Sequence, residues 1–240
     1  GGDSGWSPTH LIATESNKLV GAVPLYIKTH SYGEYIFDWA WADAYHRSGL
    51  EYYPKLVSAV PFTPATGPRL LTSDPQMKNA LASATLSFAR DNQLSSFHCL
   101  YPEMDDLHTW EQAGCLMRKS IQFHWANQAY ESFEHFLSFM RSAKRKKIKQ
   151  ERKKIIDHGI TFDVISGDQA SDSEWKFLYD CYHHTYAIRG TNPYLNFDFF
   201  LELKKRVGKN TLLIIASKSG KRIAAALNLL SGNAILGRYW

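Results

Sequence analysis

Long apolar runs are missing from this sequence, and so is any cysteine pattern. No stretch reaches the roughly 18 consecutive apolar residues that a membrane-spanning helix needs, so no integral span is expected. The three cysteines, Cys99, Cys115 and Cys181, are odd in number and far apart, with no CxxC and no Cys/His cluster. That excludes a disulfide framework and a structural zinc site, and predicts free thiols in a reducing, cytoplasmic setting. There is no Ser-His-Asp order, Walker loop or zinc spacing, so neither a metal nor a tightly bound redox cofactor is expected. Low-complexity tracts and internal repeats are absent as well. The opening residues, Gly1 to Trp6, lack the charged and apolar regions of a signal peptide. The chain does not open on Met, and its last residues, AILGRYW, stop inside an apolar strand pattern, so both ends read as cut.

What is present is an ordinary globular composition with one anomaly. The 240 residues are 44% hydrophobic and 21% charged, enough for one large domain or two ordinary ones with a real core. Aromatics at 14% favour strands and a site where rings meet a ligand. The net charge of +5 is concentrated, because nine Lys/Arg and one Glu fall between Arg141 and Lys154. The remainder is close to neutral or slightly acidic, so a single basic segment needs explaining.

Periodicity gives an order of elements. HLIATES and LVGAVPLYIKTH read as strands joined by a turn at Asn17-Lys18, and EYIFDWAW as another strand. YYPKLVSAV reads as a short helix after Pro54, and ATGPRLL as a short strand. Ser73-Asp74-Pro75 opens a helix over QMKNALASATLSFARDNQ. LSSFHCLYP is a strand, MDDLHTWEQAG a helix ending at Gly114, and CLMRKSIQFHWANQ a strand that alternates Ile121, Phe123 and Trp125. One long helix is expected from SFEHFLSFM through the basic run to Gly159. Then follow strand ITFDVIS, a helix opened by the capping pattern Ser171-Asp172-Ser173-Glu174, a loop, a helix NFDFFLELKKRVG, and three strands.

GAVPLYIKTHSYGEYIFDWAWADAY, YYPKLVSAVPFTPATGPRLL, RSAKRKKIKQER, YLNFDFF and GRYW together resemble the FemAB-like proteins of the GNAT superfamily, described as peptidoglycan biosynthesis or recognition proteins. The resemblance spans nearly the whole chain. It implies a mixed α/β fold of tandem GNAT-like domains, both incomplete: the C-terminal part of one over residues 1–129, and the basic helix with the N-terminal part of another over 130–240. It also implies N-acyl or aminoacyl transfer to an amine of a cell-wall acceptor, with acyl-CoA or aminoacyl-tRNA as donor substrate and a peptidoglycan precursor or other amine as acceptor. tRNA and a second copy of the chain are the further partners to consider. The sequence departs from the GNAT pattern in one respect: WADAYHRSGLEYY contains no Gly-rich pyrophosphate loop. A non-catalytic module that binds peptidoglycan or nucleic acid is therefore the alternative.

The candidate site centres on FDWAWADAYHRSGLEYYPKL, residues 37–56. Amide formation needs an amine freed of its proton, an oxyanion stabiliser and a held donor. Asp38, between Phe37 and Trp39, is read as lying in a strand, partly desolvated, with the raised pKa of a base. Tyr45 or its neighbours Tyr52 and Tyr53 would donate protons or orient the amine, and Trp39 would line the substrate. Lys55 and Arg69 would hold a phosphate or carboxylate. Near the expected acceptor border, Arg189 and Tyr194 are candidates, with Arg238 on the last strand. The basic run, above all Lys144, Arg145, Lys146 and Lys147, suits an anionic partner or nucleic-acid contact. The plain alternative is that the acids cap turns, the rings are core and the basic face is merely solvated.

Overall fold

The computed structural model describes residues 4–239. The chain divides into two compact units, one up to Gln122 and one from Phe123.

The first unit is built on a four-stranded mixed sheet in the order β1-β4-β5-β6, where β1 is Trp6–Pro8, β4 Leu25–Lys28, β5 Lys55–Ser58 and β6 Phe97–Cys99. The first two pairings are antiparallel and β5–β6 is parallel. A separate hairpin joins β2 (Leu11–Glu15) to β3 (Lys18–Val23). Its turn residues Ser16 and Asn17 both have positive φ, as a tight two-residue hairpin requires. Pro24, which has no N–H to give a ladder, separates β3 from β4. Helix α2 (Pro75–Asp91) starts where its sequence says it should: Asp74 accepts from the Gln76 amide at 2.9 Å, and Pro75 is the first helical residue. It packs Leu81, Ala82 and Ala89 with Val23, Leu25, Leu56, Leu70 and Trp110 of α3 (Met104–Gln112).

Four expectations are corrected here. EYIFDWAW is not a strand: Asp38 is the N-cap of helix α1 (Trp39–Arg47). The aromatic run mimics a β pattern, but Gly33 and Tyr35 both have positive φ and fold the chain into a loop before it. YYPKLVSAV forms strand β5 rather than a helix, because Leu56 and Val57 are buried between β4 and β6. ATGPRLL makes only isolated bridges, Gly67 with Pro102 and Leu71 with Ala22. Residues 115–128 also lack the expected strand. Ile121, Phe123 and Trp125 alternate as a strand would, yet among the described residues no strand pairs with them and all three are exposed.

In the second unit, the one long helix expected over the basic run is two: α4 (Phe133–Ser138) and α5 (Ser142–Asp157). Strand β7 (Ile160–Ser166) follows, then α6 (Asp172–Ile188), α7 (Phe197–Val207), β8 (Thr211–Lys218), β9 (Lys221–Ser231) and β10 (Ala234–Tyr239). The strands form an antiparallel sheet in the order β10-β9-β8-β7. The expected capping box is present, with Ser171 and Glu174 answering each other's backbone amides. The core joins Trp175, Leu178 and Tyr182 of α6 and Phe200 of α7 to Leu213, Ile215, Ala225 and Leu227 of the sheet. The strand-helix-helix-strand-strand-strand order matches the sequence reading. Trp240, the last residue of GRYW, lies outside the described residues.

Candidate functional site

The first unit places two lysines where charge is costly. In the antiparallel pairing of β4 and β5, Lys28 stands directly opposite Lys55. Like charges facing each other across a ladder repel, and both side chains are 0% exposed. Such a pair survives only if anions come to it. They come from the loop between β4 and α1, which brings Ser31, Glu34 and Asp38 back over the strand ends.

The geometry around Lys55 is dense. Its Nζ donates to Ser31 Oγ at 2.8 Å, Glu34 Oε2 at 2.9 Å and Asp38 Oδ2 at 2.5 Å. The Tyr52 hydroxyl donates to the same Asp38 oxygen at 2.7 Å. The Tyr53 hydroxyl lies 2.8 Å from Ser31 Oγ and is half-buried, so it ends a hydrogen-bonded chain that leads inward to Lys55. Lys28 has a different environment: it donates to the Tyr32 carbonyl at 3.1 Å, and its ammonium sits 4.0 Å from the centre of the Trp6 ring. His98 Nε2 on β6 completes the wall, 3.3 Å from the Tyr52 hydroxyl and 2.9 Å from Ser96 Oγ.

Gly33 lets the loop turn at this point. Its φ is +81°, and a Cβ there would lie 2.5 Å from the Phe62 ring, so no side chain fits. Arg118 and Tyr101 hold the loop from outside by donating to the carbonyls of Phe37 and Tyr35.

The two carboxyls part company. Burial drives Glu34 above the ordinary range, and the attraction of Lys55 only partly offsets it. Burial pushes Asp38 up too, but hydrogen bonds from Lys55, Ser31 and Tyr52 outweigh it and hold Asp38 below its ordinary value. Burial takes Lys28 down to about 8 and His98 down to about 4. Burial and the Asp38 hydrogen bond push the Tyr52 phenol well up, so it stays a donor. Glu34 Oε1 and Asp38 Oδ1 are buried with no hydrogen-bond partner among the described residues.

Several candidates therefore take new roles. Asp38 is 2% exposed and the more acidic carboxyl, the opposite of the raised base that the sequence suggested. Lys55 is spent on carboxylates and is no open anion holder. Arg69 is buried, and its Nε, Nη1 and Nη2 donate to the carbonyls of Leu100, Pro68 and Ala65. It ties backbone segments together from a buried position, unlike the open anion holder read from the sequence. Tyr45 packs edge-on against Tyr52, with ring centres 5.1 Å apart, and Tyr53 touches the cluster through Ser31. Trp39 is exposed and tilts against exposed Tyr32 at 5.4 Å, forming an aromatic rim beside the loop.

The remaining candidates belong to the second unit. Arg189 caps the end of α6 and is exposed. Tyr194 meets Tyr186 edge-on, and the Arg238 guanidinium lies 4.5 Å from the Tyr239 ring. Lys144, Lys146 and Lys147 stand exposed on α5, while Arg145 is half-buried.

Reading the sequence missed Lys28, Ser31, Glu34 and His98. The available signal was a lysine at one end of each of two apolar runs, closing LYIK and opening KLVSAV after Pro54. A lysine at the end of a buried strand predicts acids nearby, and SYGEYIFD supplies two.

Comparison with known proteins fixes the family. The model of the FemAB-like family, described as peptidoglycan biosynthesis/recognition, matches residues 1–240. The chain belongs to the FemAB-like family. Its role is accordingly peptidoglycan-related, and the FemAB-like match covers both units. A search among curated proteins finds no significant match. Among the described residues of this FemAB-like chain, no helix is long and apolar enough to cross a membrane.

Proposed function

We propose that the chain serves N-acyl or aminoacyl transfer to an amine of a peptidoglycan-related acceptor, with Glu34 rather than Asp38 taking the proton. The observation that carries this reading is the pair of buried carboxyls sharing one ammonium while Glu34 Oε1 has no partner. An acceptor amine is the donor that such an oxygen lacks, and a carboxyl raised by burial is the stronger base of the two. Family membership and the aromatic rim of Tyr32 and Trp39 support a polar acceptor beside the loop.

The chemistry balances as follows. The acceptor ammonium gives a proton to Glu34, and its nitrogen attacks the carbonyl carbon of a donor thioester or ester. The C–N bond forms and the C–S or C–O bond breaks. The departing thiolate or alkoxide takes a proton from the Tyr53 hydroxyl, which Ser31 holds in place, and the second proton that the nitrogen loses as the amide forms returns to Tyr53. Lys55 fixes both carboxyls, and Asp38, kept ionised, answers the local positive charge. Access to Glu34 runs through displacement of the loop that carries it. Tandem GNAT-like parts are included in the proposal, supported by the element order of the second unit.

A second reading, recognition without chemistry, is favoured by the burial of Glu34, at 3% exposed. One experiment separates the two. Transfer of a labelled acyl group from acetyl-CoA, or from aminoacyl-tRNA, to a soluble precursor with a free peptide amine is followed for the parent and for Glu34→Gln. General-base loss lowers turnover by about 10²- to 10⁴-fold with little change in acceptor affinity. Full turnover in Glu34→Gln removes the assignment. Acceptor binding without transfer from either donor establishes the recognition reading instead.

A further inference from the structure

Helix α5 is basic all round and buries none of its residues. Successive turns place Arg145, Lys149 and Lys153 in one row, with Lys146 beside them. With Ser142 and Gln150 these four cations line a shallow concavity of about 370 Å³. Only part of this charge is answered. Lys149 pairs with Glu134 of α4 at 2.5 Å, the Arg145 Nη1 donates to the Ser138 carbonyl, and Arg152 stacks on Phe133 at 4.3 Å. These contacts brace the helix against α4 without covering the row. Ile156, three residues after Lys153 and seven after Lys149, continues the same face and is 72% exposed.

We propose that this face of α5 adsorbs to an anionic lipid surface, the row of cations meeting lipid phosphates and Ile156 entering the headgroup layer. The inference stands apart from the transfer reading and needs no chemistry at Glu34. Charge complementarity selects a polyanion, and an exposed isoleucine among the cations selects lipid over a nucleic-acid backbone, which offers phosphates but no apolar layer. The absence of aromatic side chains on α5 points the same way, since single strands are held by stacking.

The test is flotation of the whole chain with vesicles of phosphatidylcholine alone or with about one-third phosphatidylglycerol. Binding to the anionic vesicles only, and its loss at high salt, is expected. The double variant Lys146→Gln/Lys153→Gln binds about 25-fold more weakly, at about fivefold per lysine. Ile156→Ser weakens binding while keeping its salt dependence. All three side chains are exposed, so an unchanged circular dichroism melt certifies the fold. Equal binding to neutral vesicles overturns the proposal. So does tighter binding to duplex RNA than to vesicles at equal phosphate concentration.

Discussion

At the ends of β4 and β5 two lysines are fully buried, Lys55 answered by two loop carboxyls and Lys28 by the Tyr32 carbonyl and the Trp6 ring, whereas the eight basic residues of α5 stay at the surface with two carboxylate pairings among them. The same residue type thus marks different things. A buried lysine must be matched residue by residue, because an unpaired charge in the interior costs several kcal/mol. A solvated lysine is matched by water and salt, and is available to a partner. Charge density along the chain points to α5 and says nothing of Lys28 and Lys55, although the stability of the first unit depends more on the latter.

The largest break in this contrast comes from Lys55→Met. It strands Glu34 and Asp38 without their ammonium and is expected to cost about 3–5 kcal/mol by urea unfolding. Two pH profiles sharpen it further. His98 titrates near 4 in the folded protein and near 6.5 when unfolded. Between these values the unfolded chain holds a proton that the folded one refuses, so stability falls as pH drops from 6.5 toward 4. His98→Gln removes that component from the melting profile. Lys28 titrates near 8 folded and near 10.5 unfolded. In that window the unfolded chain again holds the extra proton, so stability gains a rising component as pH climbs from 8, which Lys28→Met lacks. The smallest effect belongs to α5: Lys153→Gln changes stability by less than about 0.5 kcal/mol in the same urea assay.

The second unit was legible because its signals are local. Ser171 and Glu174 cap a helix within four residues, and Gly159, with φ +64°, ends another. The break between α4 and α5 escaped notice because Phe139, Met140 and Arg141 carry neither Pro nor Gly to announce it. In the first unit the informative contacts are long-range. Asp38 stands out in the sequence, but its partners Lys55 and Tyr52 lie 17 and 14 residues away, and its pKa depends on them. Arg69 looked available because its acceptors are main-chain carbonyls, which no side-chain pattern reveals. Phe37 and Trp39 resembled strand residues because aromatic runs suit strands, while the turn at Gly33 overrides that preference.

The central claim is that burial of Glu34 and the hydrogen bonds to Asp38 set two carboxyls on one ammonium apart in acidity, and that Glu34 is the base. Carbon-13 NMR titration of the two side-chain carboxyls tests it directly. The account predicts that Asp38 titrates below the ordinary carboxylate range and Glu34 above it, with both moving up in Lys55→Met. Ordinary values for both, or the reverse order, would contradict it.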